Sequence, residues 1–214
     1  MEILSSLLLG IAAFLLGACP FSVWIGHKAL GKDITKYGDG NPGAANVFRA
    51  GTISMGITAL ILDIAKGIPF IWLAYYVLHL PFTNLLFIGI CAILGHAFSP
   101  FLKFKGGKAI AVTFGVFIAL PQSDLLFIFA LFTLLGFLFI EQHSWMVMMG
   151  PTGSSLFLLI YSGFSIELFF ILCILVLFVY KHNKELRTAP VFGINILKWM
   201  HSKGQKEHIK KQQF

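Results

Sequence analysis

The apolar residues of this chain fall in long runs rather than in alternating or amphipathic stripes. Seven runs stand out, at 3–24, 53–78, 82–98, 109–120, 125–140, 145–161 and 166–180. Runs of about 20 apolar residues match the hydrocarbon thickness of a bilayer, and a helix satisfies its own backbone hydrogen bonds there. The pattern predicts an all-α polytopic membrane protein with about seven transmembrane helices, folded as a single domain over 1–214. The fourth run is short and follows a Gly-rich turn, as a partly inserted segment would. The sixth is interrupted by Gly150, Pro151, Gly153, Ser154 and Ser155. The first run is read as a retained span rather than a secretory signal, because Glu2 stands where a signal has a basic region.

Composition agrees with lipid as the main solvent. The chain is 57% hydrophobic and only 12% charged, whereas soluble domains are about 25% charged. Cys19, Cys91 and Cys173 each lie in an apolar run. Without CxxC or Cys/His spacing they read as small buried hydrophobes, not as a disulfide or a metal site.

Charge asymmetry orients the spans. Lys28, Lys32, Lys36 and Arg49 lie between the first two runs, and Lys103, Lys105 and Lys108 lie between the third and fourth. A basic tail over 181–214 holds the rest, except for Lys66 within the second span. The intervening loops at 79–83, 121–124 and 162–165 carry no Lys or Arg. The positive-inside rule then predicts the N-terminus outside and the C-terminus cytoplasmic. That bias accounts for the +7 net charge without a nucleic-acid partner. The Lys-rich tail, with Trp199, Met200 and His201, reads as an interfacial segment drawn to anionic headgroups.

Candidate chemistry concentrates in the basic segments. The first reads Gly38-Asp39-Gly40-Asn41-Pro42-Gly43-Ala44-Ala45-Asn46-Val47-Phe48-Arg49. Glycines let backbone N–H groups approach an anion, and the Arg49 fork suits two phosphate oxygens. If the second span begins directly after this turn, its positive end faces the same place. An ordinary tight loop would also hold the glycines, but two asparagines and an arginine favour a ligand. The second segment places His96 near the end of the third span, followed by Lys105-Gly106-Gly107-Lys108. It lacks the GxxxxGK[ST] spacing of a P-loop, and His96 reads equally as helix cap or ligand contact. Asp63 and Lys66 share a face of the second span, either as a structural pair or lining the site. The third segment, leaving the last span, carries His182, Asn183, Lys184 and Arg187, and reads equally as a solvated helix end or as a headgroup contact. Together they suggest a site for a phosphate-bearing molecule reached from the cytoplasm.

These segments resemble the acyl-phosphate-dependent glycerol-3-phosphate acyltransferases of bacteria, the PlsY family. The likeness runs through Gly17-Ala18-Cys19-Pro20-Phe21-Ser22, residues 38–49, Leu62-Asp63-Ile64-Ala65-Lys66-Gly67, Gly95-His96 and residues 104–108. It implies transfer of a fatty acyl group from acyl phosphate to the 1-hydroxyl of glycerol 3-phosphate. The product would be lysophosphatidic acid, made at the bacterial inner membrane with the site facing the cytoplasm. Acyl phosphate is already activated, so no cofactor, metal or nucleophilic serine is expected. The implied catalytic residues are Asn46, Arg49, Lys108 and His182. The implied substrate and phosphate contacts are Gly38, Asp39, Gly40, Asn41, Gly43, Lys66, His96, Lys105, Gly106, Gly107 and Asn183. Implied partners are glycerol 3-phosphate, acyl phosphate, membrane lipids and other phospholipid-synthesis enzymes.

The chain departs from the family pattern at four places, one of them Ala45, where the family often has Thr. Asp39 stands where the family usually has Ser, and a carboxylate in an anion cradle repels phosphate unless turned away or paired with a lysine. Ala109 follows Gly106-Gly107-Lys108 where the family reads Gly, and His182 and Asn183 are adjacent rather than spaced. Two other readings stay open: a carrier for a phosphorylated metabolite, and a non-catalytic paralogue using the same basic site.

Overall fold

A computed structural model describes residues 2–193, so the Lys-rich tail segment lies outside the described residues. Ten α-helices account for most of these residues. They are α1 (Glu2–Ala18), α2 (Phe21–Leu30), α3 (Ala44–Ala50), α4 (Ile53–Ala65), α5 (Pro69–Tyr76), α6 (Phe82–Ala97), α7 (Ile110–Ala119), α8 (Ser123–Phe139), α9 (His143–Tyr161) and α10 (Ile166–Lys181). Among the described residues, β-structure is limited to a bridge between Ile140 and Phe192. Each of the seven apolar runs is helical over most of its length. Three segments are by themselves long and apolar enough to cross a membrane: Glu2–Leu30, Ile53–Tyr76 and Phe82–Leu102. Helix α7 has 10 residues and reaches only about 15 Å at 1.5 Å per residue, consistent with a partial insertion. The sixth run forms one continuous helix of 19 residues with Pro151 inside it.

The described residues fall into two compact units, one up to Leu126 and one from Phe127 on. In the first, small residues allow helices to touch backbone to backbone. Gly17 lies against the Ala92 carbonyl, and Gly95 against that of Phe14, closing α1 onto α6. Gly115 and Ile64 bring α7 onto α4 in the same way. Such contacts carry helix association where lipid removes the hydrophobic drive between helices.

The first span is broken at Cys19-Pro20. Proline supplies no N–H and cannot continue a helix, so carbonyls near the break need other donors. Ser99 Oγ donates to the Ala18 carbonyl at 2.6 Å, and Lys66 Nζ to that of Cys19 at 2.9 Å. Ser22, on the first turn of α2, donates to Asp63 Oδ2 at 2.6 Å. Asp63 Oδ1 lies 2.8 Å from Lys66 Nζ, with both side chains almost fully buried. The break in the span and the buried ion pair are therefore one polar cluster.

In the second unit, the chain after α10 is tied to the turn between α8 and α9. Gln142 Nε2 donates to the Ala189 carbonyl, and Trp145 Nε1 donates to that of Thr188. The rings of Phe129 and Phe178 meet edge to face at 6.5 Å within this unit.

Candidate active site

The Gly-rich segment does not lead straight into the second span but enters the separate short helix α3. Ile34 and Val47 are fully buried in one apolar cluster with Val23, Ala44 and Ala50, which fastens this segment to α2 and α3. Asn46 and Arg49 are one turn apart on α3, so their side chains share a face. The buried Asn46 carboxamide accepts from Arg49 Nη1 at 2.6 Å and donates to the Asn41 carbonyl at 2.9 Å. Gly38 has φ +56°, a left-handed conformation open to glycine, and a Cβ there would press on Asn46 and Arg49.

Asp39 lies inside this cradle. Its Oδ2 is 2.8 Å from Lys108 Nζ, and its Oδ1 accepts from Asn46 Nδ2 at 3.0 Å and from the Asn41 N–H at 3.2 Å. Arg49 Nη1 stands 3.9 Å from the same Oδ1. Partial burial pushes the carboxyl upward, but the Lys108 hydrogen bond and charge with the Asn41 and Asn46 donors outweigh it, holding it at about 2. Of the two ways a carboxylate could be tolerated here, pairing with a lysine is the one adopted.

Lys108 is brought to Asp39 by a constrained turn. His96, near the end of α6, accepts the Gly107 N–H on its carbonyl at 3.0 Å. A Cβ at Gly106 would meet that carbonyl, and one at Gly107 would meet the His96 ring. Lys103, Phe104 and Ala109 in the same loop all have positive φ, between +53° and +63°. Strain of this kind persists where surrounding packing holds it. Beside the turn, a narrow cleft is lined by Cys19, Pro42, Asp63, Lys66, His96 and Gly107 among others. His96 Nδ1 is 4.0 Å from Asp63 Oδ1. The polar cluster at the span break thus borders the walls of the cradle.

The structure brings together Gly38, Asp39, Asn41, Asn46, Arg49 and Lys108, with Gly40 and Gly43 forming the turn and the start of α3. His96, Gly106 and Gly107 position the lysine. Lys66 is engaged by Asp63 and the Cys19 carbonyl in the adjoining cleft, whereas Lys105 is exposed. His182 and Asn183 lie in the second unit. His182 is fully buried with Nδ1 2.9 Å from the Phe178 carbonyl, and Asn183 is exposed. Sequence reasoning did not single out the links made by Ser22 and Ser99. Pro20 was the available signal, since a proline inside an apolar run frees carbonyls that need donors.

A family profile described as glycerol-3-phosphate acyltransferase matches residues 7–189. The chain belongs to the glycerol-3-phosphate acyltransferase family. A family relative from Lactococcus lactis subsp. lactis strain IL1403, named glycerol-3-phosphate acyltransferase, is 33% identical over 210 residues. That match covers 91% of this chain and 98% of the relative. A Listeria welshimeri protein of the same name is 33% identical over 199 residues, with the same coverage of both chains. The fold is similar to that of the crystal structure of PlsY (YgiH), an integral membrane glycerol 3-phosphate acyltransferase, in its glycerol 3-phosphate form. The TM-score is 0.75 at 32% identity, covering 86% of this chain and 90% of that one. The same protein in its lysophosphatidic acid form gives a TM-score of 0.74. This family member is accordingly an all-helical membrane protein.

Proposed function

We propose that this chain transfers a fatty acyl group from acyl phosphate to the 1-hydroxyl of glycerol 3-phosphate, giving lysophosphatidic acid. The observation that carries the reading is the cradle of Asn41, Asn46, Arg49 and Lys108, in a chain similar throughout to enzymes of that name. Arg49 offers a two-pronged donor and Lys108 a point charge, a pairing suited to a phosphomonoester. Fixing the phosphate leaves the glycerol hydroxyl as the free end, so the gain in rate comes chiefly from positioning. Phosphate leaves the acyl carbon readily once its charge is neutralised, and nearby cations supply that neutralisation. The acyl chain stays among the apolar helices.

The seven helical runs form seven spans, with the N-terminus outside and the C-terminus in the cytoplasm. Every Lys and Arg except Lys66 then lies on the cytoplasmic side. The site opens to the cytoplasm at the inner membrane of a bacterium, where both phosphorylated substrates are met.

The test is a transfer assay on the purified, solubilised protein with labelled glycerol 3-phosphate and either acyl phosphate or acyl-CoA. Lysophosphatidate formed from acyl phosphate is expected. No product from either donor, in a protein that still binds glycerol 3-phosphate, would replace this reading with a carrier or scaffold.

A further inference from the structure

The cradle assigned to substrate phosphate already holds an anion that belongs to the chain. The Asp39 carboxylate takes the Lys108 ammonium at 2.8 Å, the Asn46 amide at 3.0 Å and the Asn41 N–H at 3.2 Å. These are the donors that a phosphate entering this turn would require. With Asp39 in place, the cations Arg49 and Lys108 face one negative charge before any ligand arrives. A phosphate dianion beside it would make three negative charges against two positive ones.

We infer that Asp39 is a tethered counter-anion that substrate phosphate must displace from Lys108, and that it thereby sets the affinity of the site. This rests on the assignment of the cradle to phosphate made above. Two features allow the exchange. Residues 38–40 are exposed, and Asp39 is flanked by Gly38 and Gly40 at φ +56° and +73°, so the segment can move without uncovering apolar core. A dianion also attracts Lys108 and Arg49 more strongly than a single carboxylate does, because Coulomb energy scales with the charge product. A neutral polyol has no such advantage and leaves the pair closed. Asp39 therefore discriminates for doubly charged phosphomonoesters and holds their affinity below what the bare cations would give.

The experiment compares the wild-type chain with Asp39→Asn and Asp39→Ser, reading direct binding of inorganic phosphate at pH 8 by calorimetry and the KM for glycerol 3-phosphate. Both variants should bind inorganic phosphate on the order of tenfold more tightly, since an internal competitor and its repulsion are removed. The KM should fall in parallel, and phosphate should raise the melting temperature of the variants more than that of the wild type. A residue that only shaped the loop would give weaker binding when removed. Unchanged or weakened phosphate binding in both folded variants would overturn the inference. Tighter phosphate binding in a protein whose wild type makes no lysophosphatidate would uphold it while removing the acyltransferase reading. An active wild type with no tightening in the variants would remove the inference alone.

Discussion

Asn46 and Arg49 are joined by a 2.6 Å hydrogen bond in which the guanidinium donates to the carboxamide oxygen. The carboxamide nitrogen meanwhile donates to Asp39 and the Asn41 carbonyl. Asn46 thus fixes the direction of the cation, the position of the acid and the closure of the turn. Its full burial means water cannot replace it. Asn46→Ala should raise the KM for glycerol 3-phosphate by about tenfold to a hundredfold, the range for losing hydrogen bonds to charged groups. Steady-state kinetics on the folded variant checks this, and an unchanged KM would remove its orienting role.

Arg49 is about half exposed, with a side-chain exposure of 48%, so its loss costs little core packing. Arg49→Ala should therefore insert and melt nearly as the wild type does while losing almost all transfer activity. Arg49→Lys should recover only part of it, because an ammonium lacks the planar fork. Activity measured per folded protein, with insertion followed in membrane fractions, separates the two effects. An unimpaired rate in the alanine variant would end the role assigned to Arg49.

The Asp63–Lys66 pair calls for a different experiment, because both side chains are buried. Removing one partner leaves an uncompensated charge and typically costs about 3–5 kcal/mol, whereas replacing both with apolar residues is often close to neutral. Asp63→Leu or Lys66→Met alone should destabilise strongly, and the two combined should destabilise less than either. Thermal melting in detergent reads the comparison. Additive losses would mean that each residue acts through other partners, such as Ser22 or the Cys19 carbonyl.

The apolar runs made the helices legible because lipid demands length and apolarity together, and the last five runs end close to helix ends, whereas the first two each hide a break. What the pattern hid is irregular backbone. Helix α3 has only 7 residues and mixes Ala, Asn and Arg with no apolar period, so it read as loop. The Pro151 region looked broken by composition, yet it is continuous helix. The cradle residues were legible individually from their chemistry, and Lys108 was expected near Arg49. A lysine partner for Asp39 is one of the two options its charge predicts, but the Asn41 and Asn46 donors are not legible, because they reach the carboxylate only once the Gly-rich turn folds back onto α3. By sequence His96 reads equally as helix cap or ligand contact, and its carbonyl bond to Gly107 shows that its backbone matters to the turn.

Ala109 offers a test of strain in that turn. Its φ of +63° is left-handed, which costs a non-glycine residue roughly 1–2 kcal/mol. Against this, Ala109→Gly loses a buried methyl worth about 0.8 kcal/mol and adds about 0.4–1 kcal/mol of unfolded-chain freedom. The terms nearly cancel, so the glycine variant should melt close to the wild type. Ala109→Val, branched at a left-handed position, should be clearly destabilised and less active because Lys108 is the adjacent residue. A glycine variant destabilised as much as the valine variant would show that packing, not backbone conformation, governs the site.

The Asp39–Lys108 pair also sets an acid limit on stability. The Asp39 carboxyl is held at about 2 in the folded chain, below its ordinary value of 3.8. A group with a depressed folded pKa contributes stability above its unfolded pKa and loses it as the pH falls through the folded value. The contribution should be nearly constant from pH 8 down to about 5, decline below about 4 and be lost as the pH falls through about 2. Asp39→Asn should lack this component, so the stability difference between it and the wild type should stay level above pH 5 and shrink across the acid range. Melting temperatures in detergent at a series of pH values check this. A difference that persisted unchanged at pH 2 would mean that the carboxamide replaces every interaction of the carboxylate, including that with Lys108.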